Sequence, residues 1–136
     1  MNYEDLINMA WSAMQKAYAP YSGFRVGAAL LLGSGNVYTG CNIENASYGL
    51  TVCAERVAVF KAISDGHRDF KALAVICDSI DYCSPCGACR QVLAEFSHDM
   101  PVIMANNKKT YEVRRVRDLI PLQFNKEHMN RRNNNG

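Results

Sequence analysis

Two short motifs, Cys53-Ala54-Glu55 and Pro85-Cys86-Gly87-Ala88-Cys89, constrain this chain more than anything else in it. Each stands where a loop gives way to a segment with helical patterning. Cys86 and Cys89 have the i, i+3 spacing that sets two side chains on one helical turn. If Cys53 joins them, any fold must bring two helix starts to a single point. Structural zinc usually takes four protein ligands, whereas three leave a position for water, as in catalytic sites. Glu55 follows Cys53 by two residues, close enough to serve such a water without binding the metal. Cys53, Cys86 and Cys89 are therefore the candidate ligands of one Zn²⁺ per chain, and Glu55 is the candidate acid–base.

Other readings of the cysteines stand beside this one. A Cys-x-x-Cys pair can also be a redox couple, half of a structural zinc site or two buried thiols. Cys41, Cys77 and Cys83 are available to complete a four-cysteine structural site, and Cys83 is the nearest rival ligand. Pro85 favours extended backbone in the residue before it, which aims Cys83 away from a site at the helix start. Glu55 has no part in a purely structural site. The N-terminus, Met1-Asn2-Tyr3-Glu4-Asp5, is polar and acidic and does not read as a secretory leader. Six cysteines then suit a reducing compartment, and the expected location is the cytoplasm.

With 136 residues, the chain has room for one core, expected over 1–125, with a polar and disordered tail over 126–136. Residues 3–18 read as an amphipathic helix: Leu6, Ala10, Ala13 and Ala17 share a face, flanked by Ile7, Met9 and Met14. Asn2 caps its start and Pro20 stops it. Residues 24–32 and 37–43 form a hairpin across Gly33-Ser34-Gly35-Asn36, delivering Asn42 and Glu44 to a surface edge. A helix over 53–65 turns Val57, Phe60 and Ile63 or Ala58 inward and ends at Gly66. The apolar run 70–77 is a central strand, and the helix over 87–96 buries Val92, Leu93 and Phe96. Strands at 101–105 and 110–113 are antiparallel across a tight turn, since a parallel return needs a long crossover. One helical turn over 117–120 precedes Pro121. The fold class is α/β, with a mixed five-stranded sheet in a three-layer α-β-α sandwich. Both cysteine-bearing helices follow loops that leave strands, so their N-termini meet at one sheet edge, where open sheets place ligands.

A metal ligand followed by x-Glu and then Pro-Cys-x-x-Cys is the signature of zinc nucleobase and nucleoside deaminases. The resemblance extends through Ala17-Tyr-Ala-Pro-Tyr-Ser-Gly-Phe-Arg-Val-Gly-Ala-Ala-Leu30, Gly40-Cys-Asn-Ile-Glu-Asn-Ala-Ser-Tyr48, Cys53-Ala-Glu-Arg56 and Pro85-Cys-Gly-Ala-Cys-Arg-Gln91. Over 17–124 the chain resembles the small homotetrameric cytidine deaminases of pyrimidine nucleoside salvage. That resemblance implies hydrolytic deamination of cytidine and 2′-deoxycytidine. It implies that Phe24 stacks on the base, Asn42 and Glu44 hold the ribose hydroxyls, and Ala54 lines the substrate pocket. Ala46 and Tyr48 would complete a neighbouring subunit's pocket, and Phe124 would lie over an adjacent site. Arg56 would bond the thiolates. Arg90, which follows Cys89, is a second guanidinium available to the sulfurs.

A carboxylate at the 3′-hydroxyl position favours a free hydroxyl and repels a phosphodiester. No lysine or arginine lies between Arg25 and Arg56 to receive a phosphate. The expected substrate is thus a free nucleoside. With a net charge of +2, the chain carries no general electrostatic footprint for nucleic acid. No apolar run is long enough for a membrane span. Three rivals remain: a deaminase of cytosine-nucleoside antibiotics such as blasticidin S, a polynucleotide-editing deaminase, and a non-catalytic zinc-binding interaction module. The second draws support from Lys108, Lys109, Arg114, Arg115 and Arg117. The third predicts four protein ligands and indifference to replacement of Glu55.

Overall fold

The structure is a computed structural model, and residues 1–131 are described. Helix α1 (Tyr3–Met14) is followed by β1 (Val26–Leu32), β2 (Val37–Cys41), a 3-10 turn at Tyr48–Leu50, and α2 (Ala54–Ser64). Then come β3 (Phe70–Cys77), α3 (Gly87–Ser97), β4 (Pro101–Ala105), β5 (Tyr111–Arg115), α4 (Val116–Leu119) and α5 (Lys126–Arg131). The strands form one sheet in the order β2-β1-β3-β4-β5. Only β3 and β4 pair in parallel, and α3 supplies the crossover that such a pair requires.

Strand periodicity divides the core. From β3, Leu73, Val75 and Cys77 enter the layer shared with α2 and α3, while Ala72, Ala74 and Ile76 face α1. Both faces of this strand are buried, which is why its sequence is almost unbroken in apolar residues. Leu73 has no exposed surface, and its truncation to Ala would cost about 3 kcal/mol. Gly40 permits the close approach of α2 to β2. A Cβ there would lie 2.5 Å from the Ala54 carbonyl oxygen and 2.6 Å from the Ala58 nitrogen. The first turn of α2, and Cys53 with it, is thereby fixed against the sheet.

Several expected boundaries and faces shift. The first helix ends at Met14 rather than at residue 18, because Tyr18 is captured by the loop after β2. Its N–H donates to the Asn42 carbonyl at 3.0 Å, and its carbonyl accepts from Glu44 N–H at 2.8 Å. Phe24 lies before β1 rather than in it. On α2 the buried side chains are Ala54, Glu55, Ala58, Val59 and Ala62. Phe60 instead points outward at 46% exposure, and Val57 is half-buried, while Ile63 packs against the core as expected. This helix carries apolar residues on more than one face, so periodicity alone does not identify the inner one. Residues 126–131, expected within a disordered tail, form α5, whose start is capped by Asn125 Oδ1 accepting from Glu127 N–H at 3.0 Å. Residues 132–136, the rest of that tail, lie outside the described residues.

Candidate active site

Cys53 and Cys86 are the N-caps of α2 and α3, both in extended backbone. That position directs each sulfur toward unpaired N–H groups and the positive end of a helix dipole. The Cys86 sulfur accepts from Cys89 N–H at 3.5 Å. Cys89 is buried in the first turn of α3, and the three Sγ atoms lie within 4.8 Å of one another. Tetrahedral zinc with sulfur ligands at about 2.3 Å spaces those ligands by about 3.8 Å. Cys53 and Cys86 lie 3.6 Å apart, so the donor set and its spacing fit zinc. Among the described residues, these three form the only such group of potential ligands. Cys83 is excluded from it and is buried in the core beside Cys77, as its position before Pro85 suggests.

Arg56 reaches the cluster, its Nη2 donating to Cys53 Sγ at 3.5 Å. Hydrogen bonding from Cys89, followed by that from Arg56 and Cys86, draws the Cys53 thiol down to about 5 against the opposing effect of burial. Arg90 does not approach the sulfurs. Its Nε donates to the Pro85 carbonyl at 2.8 Å, Nη1 to the Leu119 carbonyl at 2.8 Å and Nη2 to Ser84 Oγ at 2.7 Å. The expectation of a sulfur contact gives way to a clamp on the loop leading into Cys86. The next residue, Gln91, donates to the Phe124 carbonyl at 2.6 Å. Nothing in the Arg-Gln dipeptide itself identifies these three carbonyl partners.

Glu55 is 4% exposed, and this burial raises its carboxyl to about 7. Phe24 is 46% exposed and is held from both sides: its N–H donates to Ser22 Oγ at 3.0 Å, and its carbonyl accepts from Asn42 Nδ2 at 2.8 Å. Asn42 is buried rather than at a surface edge, with Oδ1 accepting from Val26 N–H at 2.9 Å. Glu44 accepts from Tyr21 N–H at 2.9 Å, from Ser22 N–H at 3.1 Å and from the Ser22 hydroxyl. The Ser22 hydroxyl is the chief cause of the lowered Glu44 pKa. Ser22 is absent from the sequence-derived site, although Pro20-Tyr21-Ser22-Gly23 is a turn signature.

Ala54 is fully buried at the start of α2, Ala46 is exposed, and Tyr48 is 76% exposed with its ring edge-on to Tyr21 at 6.1 Å. Phe124 is 59% exposed. The basic cluster is engaged locally: Arg114 pairs with Glu112 at 3.6 Å and Arg117 with Asp99 at 2.9 Å. Arg115 donates to the Asp99 carbonyl, and Lys109 to Asn8.

Residues 1–105 match the family described as "Cytidine and deoxycytidylate deaminase zinc-binding region". The chain belongs to the cytidine and deoxycytidylate deaminase family. A cytidine deaminase of Sporosarcina psychrophila is 54% identical over 130 residues, covering 95% of this chain and 96% of the relative. The crystal structure of cytidine deaminase from Burkholderia pseudomallei superposes with a TM-score of 0.89 at 46% identity, covering 91% of this chain and all of that one. A blasticidin-S deaminase of Bacillus cereus is more distant, 32% identical over 107 residues, covering 73% of this chain and 76% of the relative. The five-stranded sheet and the paired helix N-termini are thus those of a deaminase fold, and the family's metal is zinc.

No helix among the described residues is long and apolar enough to cross a membrane.

Proposed function

We propose that this chain hydrolytically deaminates cytidine and 2′-deoxycytidine to uridine and 2′-deoxyuridine, releasing ammonia, in pyrimidine salvage. The observation that carries this reading is the buried Glu55 carboxyl in the first turn of the helix capped by Cys53, beside the cluster of three sulfurs. Cys53, Cys86 and Cys89 would hold one Zn²⁺, which when bound supplies a water acidic enough to act as nucleophile at neutral pH. Glu55 removes a proton from the attacking water as its oxygen adds to C4 of the base. It passes that proton to ring N3. It then moves the remaining hydroxyl proton to the exocyclic amine, the C4–N bond breaks, and ammonia leaves behind a C4 carbonyl. Three thiolates around a divalent ion carry net negative charge, and Arg56 with the two helix dipoles offsets it.

Phe24, on the exposed turn before β1, stacks on the pyrimidine. Asn42 and Glu44 hold the ribose: Asn42 keeps a second amide hydrogen for a hydroxyl, and Glu44 is acceptor-only. Ala54 borders the base at the start of α2. The chain assembles as a homotetramer in which Ala46, Tyr48 and Phe124 contribute to sites on neighbouring copies. The apolar surface formed by Ile43, Leu50 and Phe60, together with exposed Tyr48 and Phe124, supports that assembly. The absence of cations over 26–55 supports a free nucleoside as substrate rather than nucleic acid, and the expected location is the cytoplasm.

Ammonia release from cytidine, 2′-deoxycytidine, CMP and blasticidin S tests this reading. Turnover of the two nucleosides alone is expected. Turnover of blasticidin S alone would preserve the metal chemistry and overturn the base and ribose assignments.

A further inference from the structure

Ser22 lies between the two residues assigned to opposite ends of the nucleoside. Its single hydroxyl hydrogen goes to the Glu44 carboxylate, which has none to give in return. Its oxygen accepts Phe24 N–H at 3.0 Å. The result is a directed chain from the Phe24 backbone through the Ser22 hydroxyl to Glu44, each bond polarising the next. Gly23 makes the geometry possible. At φ +70° it occupies the left-handed region, reversing the backbone so that Phe24 N–H returns to the side chain two residues earlier.

Three of the approximately four lone-pair positions of the Glu44 carboxylate are filled by Tyr21 N–H, Ser22 N–H and Ser22 O–H. One acceptor position is left for a sugar hydroxyl. Without the Ser22 hydroxyl, Oε1 keeps its two amide bonds but Oε2 loses its hydroxyl partner, so the carboxylate can pivot and turn that position elsewhere.

We infer that Ser22 is a positioning residue for substrate specificity: it aims the Glu44 carboxylate at the sugar and ties that aim to the turn carrying Phe24. The inference rests on the reading of Glu44 as the ribose acceptor. Among the described residues the hydrogen bonds of the Ser22 side chain go to Glu44 and Phe24, and none goes to Glu55 or the three cysteines, so its effect falls on nucleoside binding rather than on the chemical step.

The test is a double-mutant cycle on zinc-loaded enzyme, with cytidine as substrate and kcat and KM measured separately. Ser22→Ala is expected to raise KM about tenfold, the scale of one charge-assisted hydrogen bond, with kcat changed less than about threefold. Ser22→Thr, which keeps the hydroxyl at an exposed position, should restore KM. In a Glu44→Gln background, Ser22→Ala should change KM by less than about twofold, because its effect passes through Glu44. A wild-type KM in Ser22→Ala, or the same tenfold rise in both backgrounds, overturns the inference. A wild-type KM in Glu44→Gln alone overturns the ribose reading itself, and the role of Ser22 with it.

Discussion

Cys53 and Cys86 cap different helices and are thirty-three residues apart in sequence, yet their sulfurs lie 3.6 Å apart. Cys83, only three residues before Cys86, is turned into the core instead. Metal content should follow this division. Cys86→Ala or Cys89→Ala is expected to purify with almost no zinc, whereas Cys83→Ala retains one ion per chain and loses about 1 kcal/mol of stability. Elemental analysis beside thermal melting checks both halves.

Arg90 joins the loop entering Cys86 to the end of α4 through Ser84, Pro85 and Leu119. Arg90→Met should lower stability by about 3 kcal/mol and speed zinc transfer to a chromogenic chelator by about tenfold. Arg90→Lys should not rescue it, since an ammonium lacks the planar fork that reaches three acceptors. Release at the wild-type rate would mean that the clamp does not hold the ligand loop.

Leu50 and Phe60 form part of the exposed apolar surface around α2. If the proposed tetramer uses this surface, Leu50→Glu or Phe60→Glu should shift the protein toward the 15.2 kDa monomer and remove most activity. Sedimentation velocity with parallel assays reads both effects. An unchanged sedimentation coefficient in both variants would place the contact elsewhere.

The pKa of Glu44 is lowered, first by the Ser22 hydroxyl, with the Ser22 and Tyr21 amides also acting against the opposing effect of burial. A depressed carboxylate pKa stabilises the fold above its unfolded value and loses that effect as pH falls through the folded one. Glu44→Gln should accordingly melt below wild type at neutral pH, and the gap should close in acid beneath the ordinary carboxylate range. Melting curves across pH give the comparison.

The metal cluster was legible in the sequence because ligand spacing and helix-start positions are local properties. Cys86 and Cys89 are fixed by one helical turn, and only Cys53 needed the fold to bring it in. The central strand was legible as well, since the apolar run over 70–77 fits burial on both faces. The inner face of α2 was not, because Val57 and Phe60 are as apolar as the buried Ala58 and Val59, so residue type does not separate the two faces. Ser22, Arg90 and Gln91 were hidden for another reason. Each bonds partners placed by the tertiary fold or by a tight turn, and residue type carries no record of which carbonyl or carboxylate will be close. Where spacing decides a contact the sequence displays it, and where packing decides it only the folded chain does.

Glu55→Gln separates proton transfer from metal binding at a single side chain. It keeps the volume and burial of the side chain and removes its capacity to carry a proton. The measurement is zinc content and cytidine turnover on the same purified sample. One zinc per chain is expected, with turnover reduced by about 10³-fold or more. Turnover within tenfold of wild type, with zinc present, would contradict the role of Glu55 and return the cysteine cluster to a structural one.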